Sequence, residues 1–365
     1  MVFYQLTISL ILKPSMPGEH MHGIVYHEDY NKYDLGMDHP LVGDKPKKTM
    51  EQLELKGLLK EFEVFKPRKV TQKDLERVHS KSYIEKIRTL SKTGGMLAKD
   101  TPAPKGIYEI ARLSAGGSML CAEKLLEGFK CMCNPLGGFH HASIGNSSGF
   151  CFFNDIATTI EYLRDTYNLK KFMVVDLDVH HGNGTQDIYL YDPTVLNLSF
   201  HQDGRTLYPG TGKIENIGKG EGKGFTVNLP FPPSTGTGSY LIAFNQIVPP
   251  LIKQFKPDII LFQSGVDTHH SDPLSDLDLT YQAFFYLANK MKELSEESCD
   301  KLLVLFGGGY NSDSSISCYY NTVCGLLDNQ NYLREKDPMS HYKAEVVIEY
   351  VSRLKELLSV YWNFE

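Results

Sequence analysis

Residues 174–184 read Val174-Val175-Asp176-Leu177-Asp178-Val179-His180-His181-Gly182-Asn183-Gly184, an apolar segment that runs directly into two carboxylates, two imidazoles and glycine. A short, uninterrupted apolar run of this kind reads as a strand buried on both faces, the habit of parallel sheets. Unpaired charge taken out of water costs several kcal/mol or more, so the polar cluster at the end of the run calls for a compensating partner. The same eleven residues therefore pose both the fold and the chemistry.

Five further runs share the character of the first, which begins at Phe172: 129–135 (FKCMCNP), 194–200 (TVLNLSF), 225–231 (FTVNLPF), 258–266 (DIILFQSGV) and 301–309 (KLLVLFGGG). Helical patterns lie before, between and after them, at 107–128, 154–168, 239–255, 279–297 and 341–362. Strand, loop and helix in alternation predict an α/β fold, a parallel sheet with helices on both faces. No repeat, low-complexity tract or Pro/Ser-rich linker interrupts the pattern, so one domain is expected over 20–365. The unusual polar residues fall where strands stop, as expected of a binding site at the carboxyl ends of an open sheet.

Composition narrows the function. The net charge of −6, from 38 Lys and Arg against 44 Asp and Glu, comes without a basic stripe, which argues against a dedicated nucleic-acid binder and suits a cationic substrate. Seven scattered cysteines without paired CxxC spacing read as reduced, mostly buried thiols of a cytoplasmic protein. The opening stretch MVFYQLTISLILKPSMPGEHMHG has no basic leader and is far short of the roughly 20 apolar residues that span a bilayer. Residues 1–19 are expected to be an extension or first-strand material, with Met16 or Met21 as alternative starts. No membrane partner is expected.

Asp178 and His180 are two apart, and on a strand such residues share a side, so they can converge on one ion. Asp267, at the end of another apolar run, supplies a third ligand. Three protein ligands leave positions for water and substrate, the catalytic pattern of Zn2+, and an O,O,N set also admits Fe2+ or Co2+. His140-His141 would handle protons beside that ion, one imidazole taking a proton from water and later protonating a leaving amine. Asp176 and Asn183 are available behind the pair, where a carboxylate raises an imidazole's pKa and an amide fixes orientation without charge. Tyr310, after Gly307-Gly308-Gly309, could donate its hydroxyl to an oxyanion opposite the metal.

The segments GGFHHA, DLDVHHGNGTQ, LYPGTG, SGVDTHHSDPL and LFGGGY follow one another here as they do in histone deacetylases and their prokaryotic relatives, the acetoin-utilization proteins and acetylpolyamine amidohydrolases. The resemblance runs from GIVYHEDY at 23–30 to beyond Tyr310. It implies an arginase-like fold with a mostly parallel eight-stranded sheet. It also implies a zinc site at Asp178, His180 and Asp267, His141 as general base and acid, His140 as its electrostatic partner, and Tyr310 as the carbonyl polariser. Gly149-Phe150 and Tyr208 match the walls of the family's acyl-lysine tunnel, and Asp100 the rim aspartate that grips substrate backbone. The family's potassium sites correspond to Asp176, Asp178, His180, Ser199 and Phe200, and to Tyr189, Asp192, Val195 and Phe225.

Departures from the family pattern refine the expectation. Asn183 follows the class II and prokaryotic pattern, where class I members carry Asp. Lys47-Lys48 stand where many relatives have an arginine after the early HP, here His39-Pro40, so that arginine's role is not carried over. Leu274 occupies the rim position where a polyamine-selective subgroup has glutamate, which removes an obvious device for choosing free polyammonium ligands. The expected activity is metal-dependent removal of acetyl or other acyl groups from lysine in proteins or peptides. The alternatives are a deacetylase of acetylpolyamines or other small amides, a two-manganese ureohydrolase lacking its second ligand set here, and a non-catalytic acyl-lysine-binding scaffold. No motif encodes oligomeric state or acyl chain length.

Overall fold

The structure, a computed structural model, describes residues 21–36 and 38–364, so the expectation for residues 1–19 lies outside the described residues. Ten strands are present among the described residues: β1 His22–Val25, β2 Glu63–Phe65, β3 Gly95–Ala98, β4 Thr101–Ala103, β5 Cys131–Asn134, β6 Phe172–Asp176, β7 Val195–Gln202, β8 Thr226–Phe231, β9 Ile259–Gln263 and β10 Leu302–Leu305. Eight of them form a sheet in the order β2-β1-β5-β10-β9-β6-β7-β8, while β3 and β4 pair separately. Every neighbouring pair in the large sheet is parallel. The chain thus carries the arginase-like α/β fold that the resemblance implied.

β5, β10, β9 and β6 occupy the centre, and every residue in them is buried. That two-sided burial is why their sequences show continuous apolar runs rather than alternation. Helices 107–126 and 155–167 pack together on one face, and helices 237–255, 281–296 and 344–358 belong to the core on the other. The chain order places the reversal of strand progression among these central strands, the position at which open α/β sheets open a crevice at their carboxyl ends.

Two short strands on one side of the large sheet, β2 at its edge and β1 next to it, and three of the longer helices were not legible in the periodicity. β1 and β2 have four and three residues, too few for a pattern. Helix 312–326 buries most of its residues, among them Asn321 and Thr322, so it lacks the one-sided stripe by which a surface helix is recognised. Helices Lys45–Leu55 and Lys81–Thr93 lie in the first hundred residues, away from the apolar strands. All seven cysteines are free and six are buried, in keeping with the reading of reduced thiols.

Candidate active site

The four central strands each deliver one part of the site. After β5 the chain turns through Gly137-Gly138-Phe139 into His140-His141, and Asp155 holds that turn, accepting from the N–H of Gly138 at 3.0 Å and of Phe139 at 2.7 Å. Asp155 is itself fixed at the start of helix 155–167 and takes the Ser118 hydroxyl at 2.5 Å. The Asn154-Asp155 pair had been legible only as a helix start; its role in shaping the histidine loop depends on a contact between distant segments.

After β6 the expected strand does not continue through Asp178 and His180. β6 ends at Asp176, and the next residues curl, with the Asp178 N–H donating to Asp176 Oδ1 at 3.1 Å and the His180 N–H to Asp178 Oδ1 at 3.0 Å. Short acidic side chains that capture nearby backbone N–H groups compete with a strand ladder and bend the chain. The two ligand candidates therefore converge through a turn, not through strand alternation.

β9 leads to Asp267 and β10 to Gly307–Tyr310. His180 Nδ1 lies 3.1 Å from both Asp178 Oδ1 and Asp267 Oδ2. Ligand atoms of Asp178, His180 and Asp267 all lie within 4.8 Å of one another, and all three residues are buried. Backbone N–H groups orient the acids: Val179 donates to Asp267 at 2.8 Å and Gly308 to Asp178 at 2.9 Å. A Cβ on Gly308 would fall 2.1 Å from Asp267 Oδ2 and 2.5 Å from Asp178 Oδ2, so only glycine leaves space beside the two carboxylates. Gln263, which the sequence reading passed over, donates its amide to Asp178 at 3.2 Å from the end of β9.

The charges are mismatched. Burial and then the adjacent Asp178 push Asp267 up to about 7, while Asp178 is held low by His140 and His180 despite its burial. Burial opposes a charge on His180, yet its two acidic neighbours push it up to about 10. Two buried carboxylates facing one imidazole make a negative pocket with O,O,N donors, which fits a divalent cation taking the place of shared protons.

The histidine pair is asymmetric. His140 Nδ1 meets Asp176 Oδ2 at 2.6 Å, and His141 Nδ1 meets Asn183 Oδ1 at 2.6 Å. Because the Asn183 oxygen only accepts, His141 carries its proton on Nδ1 and leaves Nε2 free. Burial disfavours charge on both rings, but Asp176 and then Asp178 push His140 up to about 9. For His141 the opposing effects of Asn183 and Asp178 are outweighed. Burial and the charges of His140 and His180 push it well below its ordinary value.

Phe150, Gly149, Tyr310, His140, His141 and Asp178 line one cavity. Phe150 adopts φ 67°, uncommon for a bulky residue, and its ring meets Tyr310 edge-on at 5.6 Å. Tyr208 is 41% exposed, its ring 5.3 Å from that of His141. Asp100 reaches the same rim, accepting from the Gly149 N–H at 2.9 Å. Leu274 is half-buried and outside the cavity lining; its backbone N–H donates to Asp272, which also receives the Tyr310 N–H at 2.7 Å. Burial raises the Tyr310 phenol, so it stays a donor.

The side chain behind the site is Lys45, not Lys47 or Lys48. Lys45 Nζ donates to Gly307 O at 2.8 Å and Gly309 O at 3.4 Å, and also lines the cavity. Lys47 and Lys48 point outward in ion pairs with Glu51 and Asp44. Lys45 is the first residue of its helix and turns inward with the buried Pro46, whereas Lys47 and Lys48 face solvent.

The family model for the histone deacetylase domain matches residues 39–326. Among curated proteins, the chain is 32% identical over 359 residues to a "Probable deacetylase" of Archaeoglobus fulgidus, covering 93% of this chain and 98% of that one. It is 34% identical to "Histone deacetylase 14, chloroplastic" of Arabidopsis thaliana, covering 82% and 75% of the two chains. The "Acetoin utilization protein AcuC" of Staphylococcus xylosus is also 34% identical, with 79% and 78% covered. Among solved structures, that of the HDA15 HD domain matches with a TM-score of 0.84 and 26% identity, over 94% of this chain and 96% of that one.

Proposed function

The chain belongs to the histone deacetylase family, and from that premise we propose that it is a metal-dependent amidohydrolase that removes acetyl groups from the ε-amine of lysine in peptides or proteins. The observation that carries the metal reading is the buried O,O,N cluster of Asp178, His180 and Asp267, to which no Lys or Arg among the described residues is bonded. Asp178 Oδ, His180 Nδ1 and Asp267 Oδ would hold Zn2+, with Fe2+ or Co2+ as alternatives. When bound, such a cation supplies Lewis acidity that polarises an acyl carbonyl and makes water acidic.

The protein's own groups do the rest. His141 Nε2, neutral and freed by the Asn183 bond, takes a proton from the attacking water. His140, positively charged against Asp176, stabilises the negative charge that develops beside it, and its pairing keeps it from competing as the base. The Tyr310 hydroxyl donates to the tetrahedral oxyanion, a contribution of roughly 2.7–4 kcal/mol for a well-placed donor. His141, now protonated, returns its proton to the departing amine.

Phe150 and Tyr208 would flank an extended aliphatic side chain, and Asp100 would accept from the substrate's backbone N–H at the rim. That rim favours acyl-lysine within a chain over a free acetylpolyamine, because Leu274 offers no second carboxylate for a distant ammonium. Potassium is proposed behind the metal at Asp176, Asp178, His180, Ser199 and Phe200, where Asp176 and Ser199 are register partners on β6 and β7. A second potassium is proposed at Tyr189, Asp192, Val195 and Phe225. There the Asp192 carboxylate is engaged by Arg164 and Thr194, which leaves carbonyl oxygens as ligands. The catalytic unit is taken as residues 20–365 and the working compartment as the cytoplasm; among the described residues no helix is long and apolar enough to cross a membrane.

The test is turnover of a fluorogenic acetyl-lysine peptide by metal-stripped protein reconstituted with Zn2+, Fe2+ or Co2+, with N-acetylputrescine in parallel. Metal-dependent turnover of the peptide supports the proposal. Preference for the polyamine moves the activity to small amides, and turnover indifferent to metal overturns the mechanism.

A further inference from the structure

Two residues beyond Asp267 the chain places a second cluster of metal-competent donors that the chemistry above does not use. His269 Nε2 lies 3.0 Å from Glu335 Oε1, and His270 Nε2 lies 3.1 Å from Glu335 Oε2. The donor atoms of the three residues fall within 4.8 Å of one another. The His269 side chain is 1% exposed, Glu335 23% and His270 43%, so the cluster is anchored on one side and open to water on the other.

The donors are held in place by independent bonds. The His269 ring stacks on Tyr281 at 4.5 Å, and the backbone of His270 is fixed by its N–H to Leu279 O at 2.9 Å. Glu335 receives the Tyr281 N–H at 2.8 Å and its own backbone bonds the Gln282 side chain. Two imidazoles and one carboxylate, fixed before any ion arrives, form a borderline N,N,O set. Such a set suits late transition ions rather than Ca2+ or Mg2+, which seek oxygen.

We propose that His269 Nε2, His270 Nε2 and a Glu335 carboxylate oxygen form a second, solvent-open site for a divalent cation of the Zn2+, Ni2+ or Cu2+ class. Binding exchanges two N–H···O bonds for three coordinate bonds, and the single proton of each imidazole moves from Nε2 to Nδ1 by way of solvent, with none released. For His269 this gives up the Ser271 N–H that donates to Nδ1 at 3.3 Å, and the Ser271 hydroxyl, 2.9 Å away, is positioned to accept the Nδ1 proton in its place. The ion ties the segment from Asp267 to Leu274 onto the connection between helices 312–326 and 344–358. That segment includes Asp272, whose carboxylate holds the Tyr310 N–H. The site is thus a clamp on the support of the proposed active site, and it shares no ligand with Asp178, His180 and Asp267.

The experiment uses untagged protein preloaded with one equivalent of Zn2+, titrated calorimetrically with further Zn2+ and, separately, with Cu2+ followed by electron paramagnetic resonance. A second equivalent should bind, and the Cu2+ spectrum should show coupling to two imidazole nitrogens. His270→Ala and Glu335→Gln should each weaken the second equivalent by at least roughly 10- to 100-fold while the first is unchanged. His270 is exposed, so its replacement spares the core, and the spectrum of the unaltered protein tests the ligands without any substitution. Absence of a second equivalent, a second equivalent indifferent to both substitutions, or a Cu2+ spectrum without two nitrogens would overturn the proposal.

Discussion

At the inner cluster one imidazole, His180, faces two carboxylates at 3.1 Å; at the outer cluster two imidazoles, His269 and His270, share one carboxylate at 3.0 and 3.1 Å. The donor chemistry is nearly the same and the charge balance is opposite. Asp178 and Asp267 are 2% and 0% exposed, so the inner cluster carries surplus negative charge where water cannot screen it. The outer cluster satisfies its own hydrogen bonds and opens to solvent. An ion at the inner site compensates a cost the fold has already incurred, whereas an ion at the outer site only adds to a structure that stands without it. Burial and stoichiometry, not residue type, make the first a requirement and the second an option.

The comparison breaks most decisively at the inner cluster. Asp178→Ala should lower deacetylation to background and reduce bound metal by one equivalent in a metal assay; activity that survives with metal lost would end the inner-site reading. Next in size, Tyr310→Phe should cost roughly 10²- to 10³-fold in kcat with metal content unchanged, measured on the acetyl-lysine peptide. Retained turnover would remove Tyr310 from the mechanism.

A smaller effect separates the two histidines of the inner site. Asn183→Asp gives His141 a carboxylate like the one behind His140, and an opposite charge favours the protonated ring. His141 is then neutral only at higher pH, so the acid limb of the kcat/KM profile should move in the alkaline direction. An unmoved limb would show that a group other than His141 sets it.

Lys45 offers a test through stability. Burial lowers its pKa from the ordinary 10.5 to about 8, so between those values the unfolded chain holds a proton that the folded chain has released. Stability attributable to this lysine therefore rises with pH across that window, its burial cost being fully present below pH 8 and relieved above 10.5. Urea midpoints of the unaltered protein and Lys45→Met should diverge in slope across the window, and parallel curves would place the ammonium in contact with water. Smallest of all, His270→Ala should leave peptide deacetylation within about twofold when zinc is stoichiometric, as expected of a surface change away from the reacting groups. A larger loss would mean that the outer cluster is coupled to catalysis even without an ion.

The central strands and the residues at their ends were legible because burial on both faces leaves an unbroken apolar run, and charged residues stand out against it. Asp178, His180, Asp267, His140, His141 and Tyr310 could all be picked from the chain, and all gather over β5, β10, β9 and β6. The reason for their convergence was not legible. Strand alternation had been the expected cause for Asp178 and His180, but side-chain capture of backbone N–H groups ends β6 at Asp176 and sets the turn. Lys45 was missed in favour of its neighbours Lys47 and Lys48, since spacing along the chain does not reveal which face of a first helical turn looks inward. Asp155 and Gln263 lie outside the motifs, and Asp272 lies within SGVDTHHSDPL with no role legible there; each acts on a residue that is distant in sequence or in another loop.

By itself, then, the amino-acid order determined the strand succession, the parallel α/β class and the identities of the proposed ligand and proton-handling groups, because these depend on local periodicity and on residue chemistry. Only the tertiary structure decided which histidine is charged, which lysine reaches the glycine turn, and that Glu335 meets His269 and His270 across more than sixty residues. Those outcomes depend on the distance between charges and on their access to water, quantities that exist only after distant segments have packed together.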